Sequence, residues 1–154
     1  MRLNHLAIPY LAILIFLVGS VLGSYGVTWY ETLQVPSWSP TTALIALIWA
    51  VIYAGVAWAL LLIWNNTLHD EGFRWLMRGL AVAAVINLVW AIAFFIFHDL
   101  IVSFWSAVAL SVSMCLITGD VALRSRKAAL FLVPYTLWVL FATYFMYIVM
   151  QLNA

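Results

Sequence analysis

Five long apolar runs, divided by four polar breaks, account for most of this sequence. They cover approximately residues 6–25, 42–64, 75–97, 101–123 and 128–150. A transmembrane α-helix needs about 20 consecutive apolar residues, and each run is long enough. The runs lack the short alternating strands of a membrane β-barrel. The pattern predicts an all-α integral membrane protein, a single domain of residues 1–154 built as a five-transmembrane-helix bundle.

The composition indicates the same class of protein. Of the 154 residues, 68% are hydrophobic and 7% are charged, whereas soluble domains carry roughly 25% charged residues. A net charge of +1 excludes the basic surface of a nucleic-acid-binding protein, so no nucleic acid is expected as a partner. The single cysteine, Cys115, excludes a disulfide or a thiolate metal cluster within the chain.

The first apolar run has a second interpretation. Arg2, the apolar stretch after it and the small residues within 19–24 also fit a secretory signal peptide. The run is long for the apolar part of a signal peptide, and its removal would leave four spans. We therefore favour a first transmembrane helix.

The basic residues predict the orientation of the chain. With five spans, the N-terminus, the second loop and the fourth loop share one side of the membrane. They carry every Lys and Arg of the sequence: Arg2, Arg74, Arg78, Arg124, Arg126 and Lys127. Because basic loops stay in the cytoplasm, we predict a cytoplasmic N-terminus. The first loop and the C-terminus then lie outside, in what is most simply a bacterial cell membrane.

The first loop, residues 29–40, is aromatic and almost uncharged. It contains Trp29, Tyr30 and Trp38 together with Pro36 and Pro40. Loops are normally polar, so this composition predicts a structured loop that packs on the rest of the protein. We interpret it as a lid over a pocket between the helices.

Two local patterns predict the shape of this loop. Thr28-Trp-Tyr-Glu31 fits a capping box, which would begin a short helix that ends before Pro36. Glu31 would either complete that capping box or steer a ligand. Ser39-Pro40 fits the N-cap and first position of the second transmembrane helix.

Three tryptophans lie too deep for the aromatic belt at the membrane surface. Counted along their helices, they are roughly 10–18 Å inward from the outer ends. Each belongs to a set at helical spacing: Trp49 with Tyr53; Asn87, Trp90 and Phe94; Tyr135, Trp138 and Ala142. Such faces either pack helix against helix or line a flat slot for a planar aromatic ligand. The bulk of the rings argues for the slot, because small residues dominate helix contacts in membranes.

Other polar residues are candidates for chemistry within or near the membrane. Asn87 bonds either a neighbouring helix or a ligand in an apolar pocket. His98 either ends a helix in the headgroup region or approaches a ligand or haem iron. Asp120 is an intramembrane carboxylate, which makes it a functional candidate, but Arg124 one turn later predicts an ion pair.

The second loop carries two weaker signals. Asp70 and Arg74 are spaced to pair if the third helix starts early. Asn65-Asn66-Thr67 matches a glycosylation acceptor, which we discount because this loop is predicted to be cytoplasmic.

Two small-residue patterns predict close contacts between helices. Gly19 and Gly23 form a GxxxG pattern, and Gly79 and Ala83 form a similar one. Each pattern suits packing within the chain as well as dimerisation. They are the candidate faces for a predicted homodimer.

Several motifs occur together and in order along nearly the whole chain. The most specific is Trp29-Tyr30-x-x-Leu33-x-x-Pro36-x-Trp38-x-Pro40. The others are Trp49 with Tyr53, Asn87-Leu-Val-Trp90 followed by Phe94-Phe95, Leu132-Val-Pro134-Tyr135-x-x-Trp138-Val-x-Phe141-Ala142-Thr143, and Asn153. In these motifs the sequence resembles the tryptophan-rich sensory protein / translocator protein family, also called peripheral benzodiazepine receptors.

The resemblance implies a five-helix bundle, often dimeric, whose ligand cavity is closed by the first loop. It implies porphyrins or haem-related tetrapyrroles as ligands, with no cofactor required. Family members also bind isoquinoline carboxamides, benzodiazepines and, in animals, cholesterol. The ligand-binding positions that the resemblance assigns are Trp29, Trp38, Trp49, Tyr53, Asn87, Trp90, Phe94, Tyr135, Trp138 and Ala142.

The sequence departs from the family pattern at two places. Thr41 stands where members commonly have a second proline after the one that matches Pro40. No basic residue follows Lys127, so Tyr144 and Tyr147 lack the partner that a proposed sterol motif requires. Sterol is therefore not the predicted natural ligand.

The sequence is compatible with three functions. The leading one is a membrane receptor or transporter-like protein that binds porphyrins in an intrahelical pocket under the loop. The second is an enzyme that degrades porphyrin with light and oxygen, a reaction proposed for bacterial members of the family. The third is a small-molecule exporter, which would need an acid in the cavity. We found no nucleophile–base pair, so catalysis is not favoured.

Overall fold

The computed structural model describes residues 4–66 and 68–154 as a bundle of five long helices. The helices are α1 (Asn4–Tyr30), α2 (Thr42–Asn66), α3 (Glu71–Phe95), α4 (Leu100–Arg124) and α5 (Arg126–Leu152). All five are long and apolar enough to cross a membrane. The described residues contain no strand. The prediction of an all-α, five-helix membrane protein is confirmed.

The helices form a closed ring. The neighbours in contact are α1 with α2, α2 with α5, α5 with α4, α4 with α3, and α3 with α1. We call the end that holds residues 31–41, residues 96–99 and the C-terminus the loop end. The other end, with the α2–α3 and α4–α5 connections, is the basic end. Five of the six basic residues lie there, and Arg2 lies outside the described residues.

The packed core lies between α2, α3, α4 and α5, largely toward the basic end. Ile63, Val121 and Ala128 are completely buried in it. Two hydroxyl pairs add hydrogen bonds between α4 and α5: Ser111 to Thr143 at 2.8 Å and Thr118 to Thr136 at 2.7 Å. Such bonds contribute roughly 1 kcal/mol each inside a bilayer.

An ion-pair cluster joins two helices at the basic end. The guanidinium of Arg124 bonds the carboxylate of Asp120 at 3.1 Å, which confirms the predicted pair. It also lies 3.8 Å from the carboxylate of Asp70 and covers Gly72, where a Cβ would come within 2.6 Å of it. The cluster therefore joins the start of α3 to the end of α4.

The early start of α3 gives Asp70 a different role from the predicted one. Its carboxylate accepts a hydrogen bond of 2.7 Å from the backbone N–H of Phe73, so Asp70 is the N-cap of α3. The predicted pair between Asp70 and Arg74 is wrong, because the capping carboxylate turns toward Arg124 instead. Asn65 and Asn66 end α2, while Thr67 of the predicted glycosylation acceptor lies outside the described residues.

The end of α1 and the start of α2 also differ from the prediction. The predicted short helix beginning at residue 28 is wrong, since α1 continues without a break to Tyr30. The run of α-helical hydrogen bonds leaves no free N–H for a capping box at Thr28. The N-cap of α2 is Thr41, not Ser39, because the Thr41 hydroxyl accepts from the Leu44 N–H at 3.3 Å.

Two glycines allow close helix crossings. A Cβ on Gly26 of α1 would lie 2.9 Å from the Cα of Phe95 in α3, and one on Gly55 of α2 would lie 2.9 Å from the carbonyl oxygen of Phe131 in α5. Backbones approach this closely only where a side chain is missing.

Both small-residue patterns face the interior of the protomer. Gly19 and Gly23 line a cavity inside the ring, described below. A Cβ on Gly79 would lie 3.7 Å from the side chain of Ile117 in α4, and Ala83 is buried. Gly19, Gly23 and Gly79 remain partly exposed, so homodimerisation and its candidate faces stay predictions.

The loop of residues 31–41 is tied to α5. The ring of Trp38 stacks on Tyr144 with centroids 6.0 Å apart and meets Phe141 and Phe145 edge-on. The Asn153 side chain pairs with the backbone of Gln34, accepting from its N–H and donating to its carbonyl, both at 2.9 Å. The predicted structured aromatic loop is therefore present and packed on the bundle.

The Gly26 crossing predicts opposite effects for two glycine-to-alanine changes. Gly26→Ala places a methyl group against the backbone of Phe95 and should destabilise the protein by about 1–3 kcal/mol. Gly119→Ala in α4 meets no atom within 4 Å, so it should be neutral or stabilise by up to about 1 kcal/mol. Thermal unfolding in detergent measures both, and equal stability of the two variants would contradict the crossing.

Asn153→Ala should free the loop, because the Gln34 N–H loses its acceptor. We expect faster amide hydrogen exchange in residues 31–41, measured by mass spectrometry, with α2 and α3 unchanged. Asn66→Ala is the matched control, since that side chain donates to the Leu62 carbonyl of its own helix at the opposite end of the bundle. Unchanged exchange in Asn153→Ala would show that Trp38 alone holds the loop.

Candidate functional site

A cavity of about 390 Å³ lies inside the ring, in the half of the bundle nearer the loop end. Its walls come from α1, α2, α3 and α5, while α4 packs behind them. Pro40 and Thr42 line the mouth, where the loop enters α2. The size falls within the range of small-molecule sites, about 300–1,000 Å³.

Three of the walls are aromatic. Trp49 of α2 lies with its ring centroid 6.4 Å from Trp90 of α3 and 6.4 Å from Trp138 of α5. Trp90 and Phe94, one turn apart on α3, present nearly parallel rings with an interplanar angle of 5°. The ring faces give the cavity flat apolar surfaces on which a planar molecule can stack.

The fourth wall, α1, has small residues at its centre, with Phe16 toward one end and Val27 and Tyr30 toward the other. Gly19, Ser20, Gly23 and Ser24 line the cavity on one side of this helix. A Cβ on Gly19 would meet no atom within 4 Å, so the missing side chain leaves open space. Both serine hydroxyls bond carbonyls of their own helix. The slot is therefore bounded by rings on one side and by exposed helix backbone on the other.

Asn87 and Tyr53 join α3 to α2 at the deep end of the cavity. The Asn87 amide donates to the Tyr53 hydroxyl at 3.2 Å, an interhelical bond across the cavity that the sequence left as one of two alternatives. The amide oxygen of Asn87 is buried and has no partner among the described residues. Both residues line the cavity, so the second alternative, a ligand bond, is also available to the same side chain.

The cavity gathers the unpartnered polar atoms of the described structure. Four buried side-chain N or O atoms lack a hydrogen-bond partner in residues 4–66 and 68–154: Tyr30 Oη, Asn87 Oδ1, Trp90 Nε1 and Trp138 Nε1. All four belong to residues that line the cavity. Because an unpaired buried polar group costs roughly 1–3 kcal/mol, a ligand that pairs with these atoms would recover that energy.

No Asp, Glu, Lys, Arg or His lines the cavity within the described residues. The same part of the chain contains no group of three or more His, Cys, Asp or Glu placed to hold a metal ion. The lining can stack, exclude water and donate or accept hydrogen bonds. This chemistry favours binding over acid–base catalysis.

Seven of the ten predicted ligand-binding residues line the cavity. They are Trp49, Tyr53, Asn87, Trp90, Phe94, Trp138 and Ala142. Whether they bind a ligand stays a prediction. The other three positions are close to the site but outside its lining.

Tyr135 lies behind the cavity wall, where its buried ring meets Trp49 edge-on at 6.0 Å. Trp29 lies at the loop end, edge-on to Phe94 at 5.0 Å. Trp38 packs on α5 against Phe141 and Phe145, two residues of the lining, and is 47% exposed. These residues support the lining and the loop.

His98 takes the helix-end position that the sequence offered as its first alternative. Its ring stacks on Trp29 with centroids 4.3 Å apart. Its backbone has a φ of 56°, in the left-handed region, and the N–H of Asp99 bonds the Ala93 carbonyl at 3.0 Å. The stack therefore fixes the α3–α4 connection against the end of α1.

Sequence reasoning missed the α1 wall and Tyr30 as cavity residues. It also missed Phe141, Phe145 and Met146 of α5. One signal was present in α1: Gly19, Ser20, Gly23 and Ser24 form a small and polar stripe at helical spacing in an otherwise large apolar run. The GxxxG interpretation assigned that stripe to a helix contact.

Comparisons with known proteins agree with this architecture. The model of the TspO/MBR family matches residues 6–152. The tryptophan-rich protein TspO of Bacillus cereus is 27% identical over 157 residues, covering 99% of each chain. That of Chlorobaculum tepidum is 29% identical over 136 residues, covering 88% of this chain and 86% of its own.

An animal protein is also similar. The translocator protein of Ovis aries is 29% identical over 147 residues, which is 90% of this chain and 82% of the sheep protein. The family match spans nearly all of the chain, including every helix that forms the cavity. The chain is an integral membrane protein that belongs to the TspO/MBR family.

Proposed function

We propose that this protein is a membrane receptor or transporter-like protein that binds porphyrins and related planar apolar ligands in the cavity. One observation carries the proposal: the four unpartnered buried polar atoms all belong to residues that line one aromatic cavity. A protein whose helices only packed together would have paired or removed such groups.

The shape of the cavity supports a planar ligand. One face would stack on the aromatic rings that α2, α3 and α5 contribute to the lining. The other face would lie against the small residues of α1, where Gly19 leaves open space. A porphyrin combines a wide apolar face with polar atoms at its centre and edge, so it uses both the rings and the polar atoms of the lining. No cofactor is needed for binding of this kind.

The loop of residues 31–41 would act as the lid, while Trp29 and Tyr30 of the predicted lid belong to α1. Pro40 contributes to the cavity mouth, and the loop is held by the Trp38 stack and the Asn153 pair rather than by a buried core. Attachments of this kind open more readily than a helix contact. Release of the lid would let a ligand enter from the loop end.

The orientation proposed from the sequence places the lid outside. Arg74, Arg78, Arg124, Arg126 and Lys127 all lie at the basic end, opposite the loop. By the positive-inside rule that end faces the cytoplasm. The bacterial relatives make a bacterial cell membrane the natural location.

Light-dependent porphyrin degradation is the second candidate. Its support is the cluster of Trp49, Trp90 and Trp138, since a photosensitiser bound beside them would produce reactive oxygen next to oxidisable rings. Export driven by a membrane carboxylate has no such support, because Asp120 is paired with Arg124 outside the cavity.

Filling the cavity should abolish binding while the fold is kept. Gly19→Leu puts a side chain into the open space and improves helix propensity by about 1 kcal/mol. We expect saturable quenching of tryptophan fluorescence by protoporphyrin in the detergent-solubilised wild type, and its loss in Gly19→Leu. Gly119→Leu is the matched control, because its Cβ also meets no atom within 4 Å but is on an exposed face of α4.

Two results would refute the cavity as the site. One is the absence of saturable quenching in the wild type. The other is unchanged affinity in Gly19→Leu with unfolding temperatures equal to those of Gly119→Leu.

Light and oxygen separate the receptor from the enzyme. If the protein only binds, illuminated protoporphyrin should disappear no faster with the protein than in detergent alone. A new absorbing product that forms with the wild type, and forms at least tenfold more slowly in Trp138→Phe, would instead establish degradation. Absorption spectra recorded during illumination, with a dark sample as control, provide the measurement.

A further inference from the structure

We propose that the hydroxyl of Tyr30 selects ligands that carry a carboxylate, and holds that carboxylate at the mouth of the cavity. This inference rests on the proposed porphyrin site and adds a residue and a ligand group to it. The ligand class is then a planar apolar ring system with an acidic edge.

Tyr30 lines the cavity at its loop end. It is the last residue of α1 and one of the lining residues. Its ring meets Phe94 of α3 with centroids 6.2 Å apart at an angle of 60°. The oxygen is buried and has no hydrogen-bond partner among the described residues. A hydroxyl in this state has a proton to donate and nothing in the protein to receive it.

A carboxylate is the acceptor that would gain most from this donor. Hydrogen bonds to an ionised acceptor are roughly twice as strong as those between neutral groups. No basic side chain lines the cavity within residues 4–66 and 68–154. A carboxylate would therefore be bound by a neutral hydrogen-bond donor instead of by an arginine. Recognition without an ion pair predicts a weak dependence on salt concentration.

The position of Tyr30 along the membrane also suits a charged group. Helix α1 has 27 residues and is thus about 40 Å long, whereas the hydrocarbon core is about 30 Å thick. Its last residue therefore lies near the membrane–water interface, where a carboxylate keeps part of its hydration. Deeper in the membrane an isolated charge is far more costly.

The other unpartnered atoms lie deeper. Asn87 and Trp90 are eight and five residues before the end of α3, or about 12 and 8 Å from it. Trp138 is fourteen residues before the end of α5, about 21 Å away. The polar groups of the lining thus differ with depth. Tyr30, near the interface, would bind the ionised edge of the ligand, and the deeper amide and indole groups would bind neutral atoms of its ring system.

Three porphyrins separate this inference from shape recognition. Protoporphyrin IX carries two carboxylates, its dimethyl ester keeps the carbonyl oxygens without the charge, and octaethylporphyrin has neither. Each is titrated into detergent-solubilised full-length wild type, Tyr30→Phe and Tyr25→Phe, with tryptophan quenching as the readout. Tyr25 is the matched control, since it is on the same helix but 72% exposed and outside the cavity lining.

We expect Tyr30→Phe to weaken protoporphyrin binding about tenfold, which corresponds to about 1.4 kcal/mol. Binding of the dimethyl ester and of octaethylporphyrin should change less than twofold. Tyr25→Phe should leave all three affinities as they are. The unfolding temperature of Tyr30→Phe should not fall, because the lost hydroxyl has no partner in the described structure.

Three results would overturn the inference. An equal loss of affinity for all three porphyrins would mean that Tyr30 contributes to the shape of the cavity and does not recognise a carboxylate. An equal loss for the acid and its ester would assign the bond to a neutral carbonyl. No loss for any of them would leave the hydroxyl without a role in binding. If the wild type binds none of the three, the porphyrin site itself fails, and this inference falls with it.

Discussion

The close crossing of α1 and α3 is the constraint on which the site depends. Most of α1 is little buried, yet this helix supplies one whole wall of the cavity. It can do so because Gly26 brings its backbone against Phe95, nearer than any side chain would allow. On the same helix, Gly19 and Gly23 face the space that α1 encloses. Glycine thus has two opposite uses within eight residues: at Gly26 it permits contact, and at Gly19 it leaves a void.

Unpaired polar groups are costly inside a membrane, and the cavity lining contains four of them. Lipid cannot satisfy a polar group, and between α4 and α5 two hydroxyl pairs satisfy each other, Ser111 with Thr143 and Thr118 with Thr136. Four residues of the cavity lining each carry a buried polar atom without a hydrogen-bond partner: Tyr30, Asn87, Trp90 and Trp138. The two treatments of polar groups divide the protein into a satisfied core toward the basic end and an unsatisfied half toward the loop end. That division is the physical basis for the proposed binding function.

Much of the site could be foreseen because helical spacing is a local property. Asn87, Trp90 and Phe94 share a face of α3 whatever surrounds them, and the three deep tryptophans converge as expected. Predictions from helical spacing were wrong where a contact with another helix displaced the contact expected within the same helix. Asp70 turned to Arg124 of another helix rather than to Arg74. Tyr135 shares a helix face with Trp138, but the contact with Trp49 places it behind the wall.

The sequence by itself determined the class, the number of helices and the family, because hydrophobic length and motif order are written along the chain. It also determined that the basic residues lie at one end of the bundle, because they lie in or next to alternate connections between the helices. Only the tertiary structure decided what the small residues of α1 face, since that depends on the approach of α3. It also decided that Asn153, near the end of the chain, pairs with Gln34 of the first loop. No local pattern records a contact between residues 119 positions apart, because it exists only when the ring of helices has closed.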